Sequence, residues 1–406
     1  MAQCTPGIQN KLAGMKLPLP EPTADERAVS IELCRKIHAE IGANDGWISF
    51  SRFMELALYA PGLGYYSGGA QKFGVAGDFI TAPELTPLFA HTLAAQAEQI
   101  MAAAAAQILE VGAGSGALAA ELLLELERRG SLPESYQILE LSGELRTRQQ
   151  QTLVRRAPQL VQRVAWLDCL PSEFAGLVLA NEVLDAMPVA LVDWQPEQTD
   201  LSGKPRILER GVSVDKTGSL VWASRPAQEC LLQAAQALDV APPFTSEIGL
   251  AARAWLSEWG RILTCGALLL FDYGHSQAEY YHPQRSKGTL MCHYRHHVHD
   301  DPLWWPGLND ITAHVDFTAA AEAGFEAGLE VLGYTSQAQF LFNCGITGVL
   351  DRLPDKTSRD YLREAGSVGK LISPNEMGER FKVIALGRDI REPLLAFARG
   401  DRTHTL

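Results

Sequence analysis

The sequence predicts an α/β protein: a Rossmann-like, mostly parallel sheet wound with helices, preceded by a helical N-terminal region and carrying an inserted antiparallel β segment. Three observations predict it. Short apolar runs alternate with amphipathic stretches from residue 107 onward, in the rhythm of strand-helix-strand units. The first run, QILEV, passes through glycines at 112, 114 and 116 into the helix former ALAAELLLEL. After Pro188 the rhythm breaks into ALVDWQ, RILERGVSVD and SLVWAS, which read as antiparallel strands inserted into the sheet.

Taken in order, residues 1–20 read as a mobile arm, because Pro18, Pro20 and Pro22 delay the first helix until about Ala24. A helical region covers 21–105, broken between Tyr59 and Glu84 by a run with too many glycines for a helix or a central strand, yet with five aromatics. That run is either a packed Ω-loop or a flap over a ligand, with Asp78 and Thr81 as polar contacts. The core, 106–388, continues through YQILEL, the helical GELRTRQQQTLVRRA, then VAWLD and GLVLA, with insertions at about 189–245 and 276–325. A helix over SEIGLAARAWLSEWGRIL returns the chain to the strand ALLLFDYG, and LEVLGYT and RFKVIALG supply the last two strands. Residues 389–406 form a tail.

Composition narrows the function. With 47% hydrophobic and 20% charged residues, and no apolar run of membrane-spanning length, the chain reads as globular and not inserted in a membrane. A net charge of −13 argues against a surface that neutralises nucleic-acid phosphates and favours a basic target. Seven scattered cysteines without a CxxC pair suggest neither a disulfide framework nor a zinc ribbon, which fits a reducing compartment. The first forty residues lack a signal-peptide core and carry Glu21, Asp25 and Glu26, so the expectation is a bacterial-type cytoplasmic protein, with the mitochondrial matrix as the setting if the source is eukaryotic.

A strand running through glycines into a helix is a nucleotide cradle. Side chains at 112 and 114 would block close backbone approach, and the helix beyond presents unpaired N–H groups and its positive dipole end. GAGSGA also satisfies the dinucleotide pattern, and a plain helix cap without ligand is the bland alternative. Glu110 sits where S-adenosylmethionine sites place a carboxylate near the methionine end of the cofactor. Glu140, at the end of the second strand, is placed to accept bonds from ribose hydroxyls of either ligand. Asp168, after the third strand, is a candidate for the adenine amino group or a simple turn acid.

Directly after the fourth strand, ANEVLDAMP brings Asn181, Glu182 and Asp185 to the sheet's carboxyl edge. If the segment starts a helix, Glu182 and Asp185 share a face; capping is the plain alternative. Paired carboxylates can grip a guanidinium fork and concentrate its charge away from an attacking nitrogen, so methyl transfer to arginine needs no metal or covalent intermediate. Asp272, Tyr273 and His275, and His314 and Asp316 in DITAHVDF, are candidates for the acceptor site or for structural turns. The stretch HYRHHVHDD, 293–301, matches no compact zinc pattern and reads as a solvated loop.

Ten segments, among them GWISFSRFMELALYAPGLGYYSGG, GDFITAPELTPLF, ILEVGAGSGALA, YQILELSGELRTRQ, NEVLDAMPV, GALLLFDYGH, GTLMCHYRHH and DITAHVDFT, together resemble the MidA family of S-adenosylmethionine-dependent methyltransferases over about residues 45–388. Mitochondrial members of that family are protein arginine methyltransferases that assist assembly of respiratory complex I. The resemblance implies a class I methyltransferase fold with S-adenosyl-L-methionine as cofactor. It places Glu110, Gly112, Gly114, Gly116 and Glu140 on that cofactor, and Asn181, Glu182 and Asp185 facing the methyl group. It implies a protein acceptor of unnamed identity, with a homodimer left open. An assembly chaperone that keeps the fold only for recognition, and a nicotinamide oxidoreductase, are the competing expectations.

Overall fold

A computed structural model describes residues 19–68, 81–196 and 206–406. The chain begins with a helix, Ala24–Ala43, whose entry is fixed by a capping box between Thr23 and Glu26. A two-residue strand β1 (Ile48–Ser49) and a helix, Phe50–Tyr59, follow, and then a long helix, Pro87–Ala103.

The central sheet has eight strands. β2 (Gln107–Val111), β3 (Ser135–Leu139), β4 (Val164–Leu167) and β5 (Phe174–Asn181) come first. Three strands then leave for a separate sheet: β6 (Ala190–Gln195), β7 (Arg206–Val214) and β8 (Leu220–Pro226), joined by β9 (Phe244–Ile248). The chain re-enters with β10 (Leu263–His275). A small three-stranded sheet is built from β11 (Met291–Tyr294), β12 (His297–His299) and β13 (Asp310–Thr312). Finally β14 (Val315–Asp316) pairs with β10, and β15 (Glu330–Ser336) and β16 (Phe381–Arg388) close the edge.

The order across the main sheet is β15-β16-β10-β5-β2-β3-β4, parallel from β10 through β4 and antiparallel where β16 meets β10. This is the mostly parallel Rossmann-like arrangement that the sequence predicts. Strand order reverses between β2 and β5, and such a reversal opens a crevice at the carboxyl ends of the strands. Alternation along the strands builds two cores. Ile108, Ile138, Leu177 and Phe271 face the helices Pro87–Ala103 and Ala117–Arg129, while Leu109, Val178 and Leu268 face Trp259 and Phe317.

Two segments differ from the sequence expectation. Phe244–Ile248 is a strand paired with β6, so the predicted helix over SEIGLAARAWLSEWGRIL covers only Leu250–Ile262. Pairing with an existing sheet, which buries Phe244, Ser246, Glu247 and Ile248, outweighs weak local preference. The stretch 389–406 is docked rather than trailing: Ile390, Leu394, Ala396 and Phe397 are buried in the main core, and the Ala396 N–H donates to the Gln96 side-chain oxygen at 2.8 Å. Among the described residues no helix is long and apolar enough to cross a membrane.

Candidate functional site

One cavity of about 1550 Å³ lies along the carboxyl edge of the main sheet, and the described ends of β2, β3, β4, β5 and β10 all open on it. On its β2 side the glycine loop turns with positive φ at Gly112, Gly114 and Gly116. A Cβ at Gly116 would come within 2.9 Å of the Gln149 backbone, whereas one at Gly114 meets nothing and would occupy the cavity itself. The loop is therefore packed from behind and bare in front, the surface a nucleotide needs for close backbone contact.

The carboxylates of this half already have partners. Glu110 is buried and accepts from the Tyr136 hydroxyl at 2.6 Å; burial, helped by the nearby Glu140 charge, pushes its pKa up to about 7. Glu140 accepts from the Ser142 N–H at 2.9 Å and from the Gln149 amide at 3.0 Å, and burial raises its pKa too. Gln149 also donates to the Gly114 carbonyl at 3.2 Å and accepts from the Trp166 indole at 2.9 Å. It ties the glycine loop to Glu140. Nothing in the sequence marks this residue, since a glutamine within a polar helix carries no local signal. Asp168 lies at the cavity rim, exposed and paired with Arg146 at 2.7 Å. Thr81 lines the cavity as well, while Asp78 lies outside the described residues.

The opposite half is built by the turn after β5. It is not a helix: Glu182 has φ of +54°, a strained value for a residue with a side chain, and its N–H is held by the Phe271 carbonyl at 2.8 Å. The expected helical face for Glu182 and Asp185 is thus replaced by a constrained turn. Asn181 donates to Glu182 at 3.0 Å, but its own Oδ1 is buried without a partner among the described residues. Asp185 accepts from the Tyr273 hydroxyl through one oxygen; its other oxygen is buried and unsatisfied. Burial first, then the Asp185 charge, lifts the Glu182 pKa to about 8, and burial also raises Asp185.

Three residues that the sequence reading did not single out complete this wall. Tyr66 donates to Asp310 at 2.7 Å, and Tyr59 donates to the Ala186 carbonyl at 2.9 Å; all three side chains line the cavity. The Asp310 charge also acts on Glu182. Asp310 stands in the quoted segment DITAHVDF, but only the fold shows that it, rather than Asp316, reaches the carboxylates.

Two predicted acceptor residues are placed elsewhere. Asp272 is buried behind the turn, accepting from the Leu184, Asp185 and Tyr273 N–H groups at 3.0, 3.2 and 3.0 Å, and is a brace that shapes the turn rather than a surface for the acceptor. Asp316 caps the helix Phe317–Glu326 through the Thr318 and Ala319 N–H groups, both at 3.1 Å, and faces a second cavity of about 650 Å³. Tyr273, His275 and His314 do line the large cavity. In the histidine-rich stretch, His299 bonds Asn309 at 3.0 Å and Arg295 pairs with Glu26 at 2.9 Å; among the described residues no group of His, Cys, Asp and Glu is gathered for a metal ion.

Comparison with known proteins agrees with this geometry. Residues 88–335 match the model of a family described as "Putative S-adenosyl-L-methionine-dependent methyltransferase". The protein arginine methyltransferase NDUFAF7 of Bos taurus mitochondria is 31% identical over 385 residues, covering 84% of this chain and 80% of that protein. Its Homo sapiens counterpart is 28% identical, with coverage of 84% and 80%. The crystal structure of a Burkholderia thailandensis protein bound to S-adenosyl-homocysteine is 51% identical, covers 96% of this chain and 100% of its own, and superposes with a TM-score of 0.91. The bare glycine loop leaves room for a sulfonium nucleoside, and Glu110, Gly112, Gly114 and Glu140 line the same cavity as the residues that could hold it. The chain belongs to the MidA family of methyltransferases, and its cofactor is S-adenosyl-L-methionine.

Proposed function

We propose that the methyl acceptor is an arginine side chain of a protein, held by Glu182 and Asp185. One observation carries this reading. The acceptor half of the cavity buries these two carboxylates without an arginine or lysine partner among the described residues, and leaves Asp185 Oδ1 and Asn181 Oδ1 unsatisfied. Buried carboxylates raised in pKa are high in energy, and an incoming cation with several N–H donors relieves both the charge and the missing bonds. A guanidinium is planar, always charged, and presents five donors in a fork. The name of the NDUFAF7 relatives supports the same choice.

S-adenosyl-L-methionine supplies an electrophilic methyl group for direct displacement. Glu182 and Asp185 bind the guanidinium fork and hold its positive charge on the nitrogens they contact, which leaves electron density on the nitrogen that attacks. Tyr273 fixes the Asp185 carboxylate through its hydroxyl, and the Asp272 brace fixes the backbone that carries it. The proton released by the methylated nitrogen passes to Glu182, whose raised pKa suits it to hold one briefly, and then to solvent. Tyr59 and Tyr66 wall the site with aromatic surface that excludes water.

The test is transfer of a labelled methyl group to soluble protein from a strain lacking this gene, followed by hydrolysis and amino-acid analysis. Label in methylarginine is the expected result. Label confined to methyllysine or to small molecules would refute the choice of acceptor. A cytoplasmic setting and a part in assembling a respiratory complex are further components of this proposal, tested by fractionation and by complex content in the same strain.

A further inference from the structure

The charged groups lining the large cavity are mostly acids, among them the wall of Glu182, Asp185 and Asp310, but one corner of it is basic, in a chain whose net charge is −13. Adjacent strand ends create that basic pole. Gly274 of β10 pairs with Val315 of β14, and the Gly274 N–H meets the Arg380 carbonyl at 3.4 Å, so His275, His314 and Arg380 converge on one corner. Arg285 joins them from the loop after β10, and Lys382 stands one register step back, opposite Asp272. Burial first, then the charges of His275, Arg285, Arg380 and Lys382, push the His314 pKa down to about 4.

Of the acids close to this corner, Glu279 contacts His275 at 3.2 Å, while Glu379 pairs with Arg402 at 2.9 Å. Arg285 bonds only a backbone carbonyl, that of Glu279, and Arg380 has no carboxylate partner among the described residues. His314 lines the cavity with a buried Nδ1 that has no hydrogen-bond partner among the described residues. Tyr273 divides the poles: its hydroxyl goes to Asp185, while its ring sits edge-on to His314 at 5.2 Å and to Phe381 at 5.5 Å. Arg285 and Arg380, without a carboxylate partner among the described residues, repel one another, and an anion between them removes that cost while accepting their donors.

We infer that the acceptor is a peptide segment in which the target side chain is flanked by a carboxylate, Asp or Glu, that docks on Arg285, Arg380 and His314 while the cationic group enters the acidic wall. The inference rests on the arginine reading for the second part only. It runs against the bulk charge of the protein, which would by itself repel an acidic segment, so it is a statement about local pairing and is sensitive to salt.

The experiment measures binding of fluorescent peptides by anisotropy in the presence of S-adenosylhomocysteine. A central arginine is flanked on both sides by glutamate, glutamine or lysine, and a matched set carries glutamine at the centre. The glutamate-flanked peptide should bind at least ~10-fold tighter than the glutamine-flanked one at low salt, with lysine flanks weakest. The double variant Arg285→Gln, Arg380→Gln should shrink that ratio to about 3-fold or less, and Arg285→Glu, Arg380→Glu should invert it. Calorimetric affinity for S-adenosylhomocysteine serves as the folding control. Equal affinities for all flanks, or no binding by any peptide, would overturn the inference. If flanks matter but the central residue does not, the arginine reading fails and the basic pole stands; if only the centre matters, the reverse holds.

Discussion

The two halves of the cavity treat their carboxylates in opposite ways. On the cofactor half, Glu110 and Glu140 have hydrogen-bond donors supplied by the protein, and the glycine loop is tied down by Gln149. On the acceptor half, Glu182 sits on a strained turn, and Asn181 and Asp185 each keep a buried oxygen without a donor. A cofactor common to every cycle can be met by a finished surface. An acceptor that must be gripped only while it reacts is better met by groups whose bonds are completed on arrival, because that binding energy is then available to orient it.

The sharpest way to break this contrast is Glu182→Gln. It should lower turnover about 100- to 1000-fold while leaving S-adenosylhomocysteine affinity within about 3-fold, as read by labelled transfer and calorimetry. Equal losses in both would show that the halves do not act separately. Next in size, Gly114→Val places a branched side chain in the cavity at a φ of +52°. The expected outcome is a loss of at least ~100-fold in cofactor affinity with a folded protein, because nothing behind the loop obstructs the new Cβ. Gly116→Val, by contrast, should unfold the region, since its Cβ meets the Gln149 backbone at 2.9 Å.

Tyr273→Phe sharpens the contrast more gently. The phenol donates to Asp185 and favours its ionised form, so its loss should cost about 10-fold in kcat/KM and move the acidic limb of the pH profile to higher pH. The smallest effect is on stability. Glu182 has a folded pKa of about 8, above its unfolded value of about 4.5, so the folded protein holds more protons in that window and loses stability as pH rises through it. Glu182→Gln should flatten this slope, gaining about 1–2 kcal/mol relative to the parent at pH 8 compared with pH 5 in urea titrations. An unchanged slope would mean that the carboxyl is solvated rather than buried.

Legibility in the sequence follows the same division. The glycine loop, Glu110 and Glu140 declare themselves because strand, turn and helix are written within one short window. Asn181, Glu182 and Asp185 are visible as polar groups at a strand end, but not the turn that replaces the predicted helix, since its geometry depends on Asp272 and the Phe271 carbonyl from another strand. Asp272 and Asp316 showed the right residue type at strand ends, and nothing local distinguishes an acid that braces or caps from one that faces a cavity. Gln149 carries no local signal, and Tyr66 lies in the aromatic-rich run read as a packed loop or a flap, but its partner Asp310 is 244 residues away in the chain.

By itself the sequence determined the alternating fold, the cradle at the head of the second core element, and the supply of acids to the sheet's carboxyl edge. Those features rest on periodicity and backbone freedom, which are local properties of the chain. Tertiary structure alone decided which acids meet, which are buried, and that a basic corner from β10, β14 and β16 stands across from them. Desolvation and charge coupling depend on distance through space, and residues 66, 185, 273 and 310 become neighbours only once the sheets have closed around them.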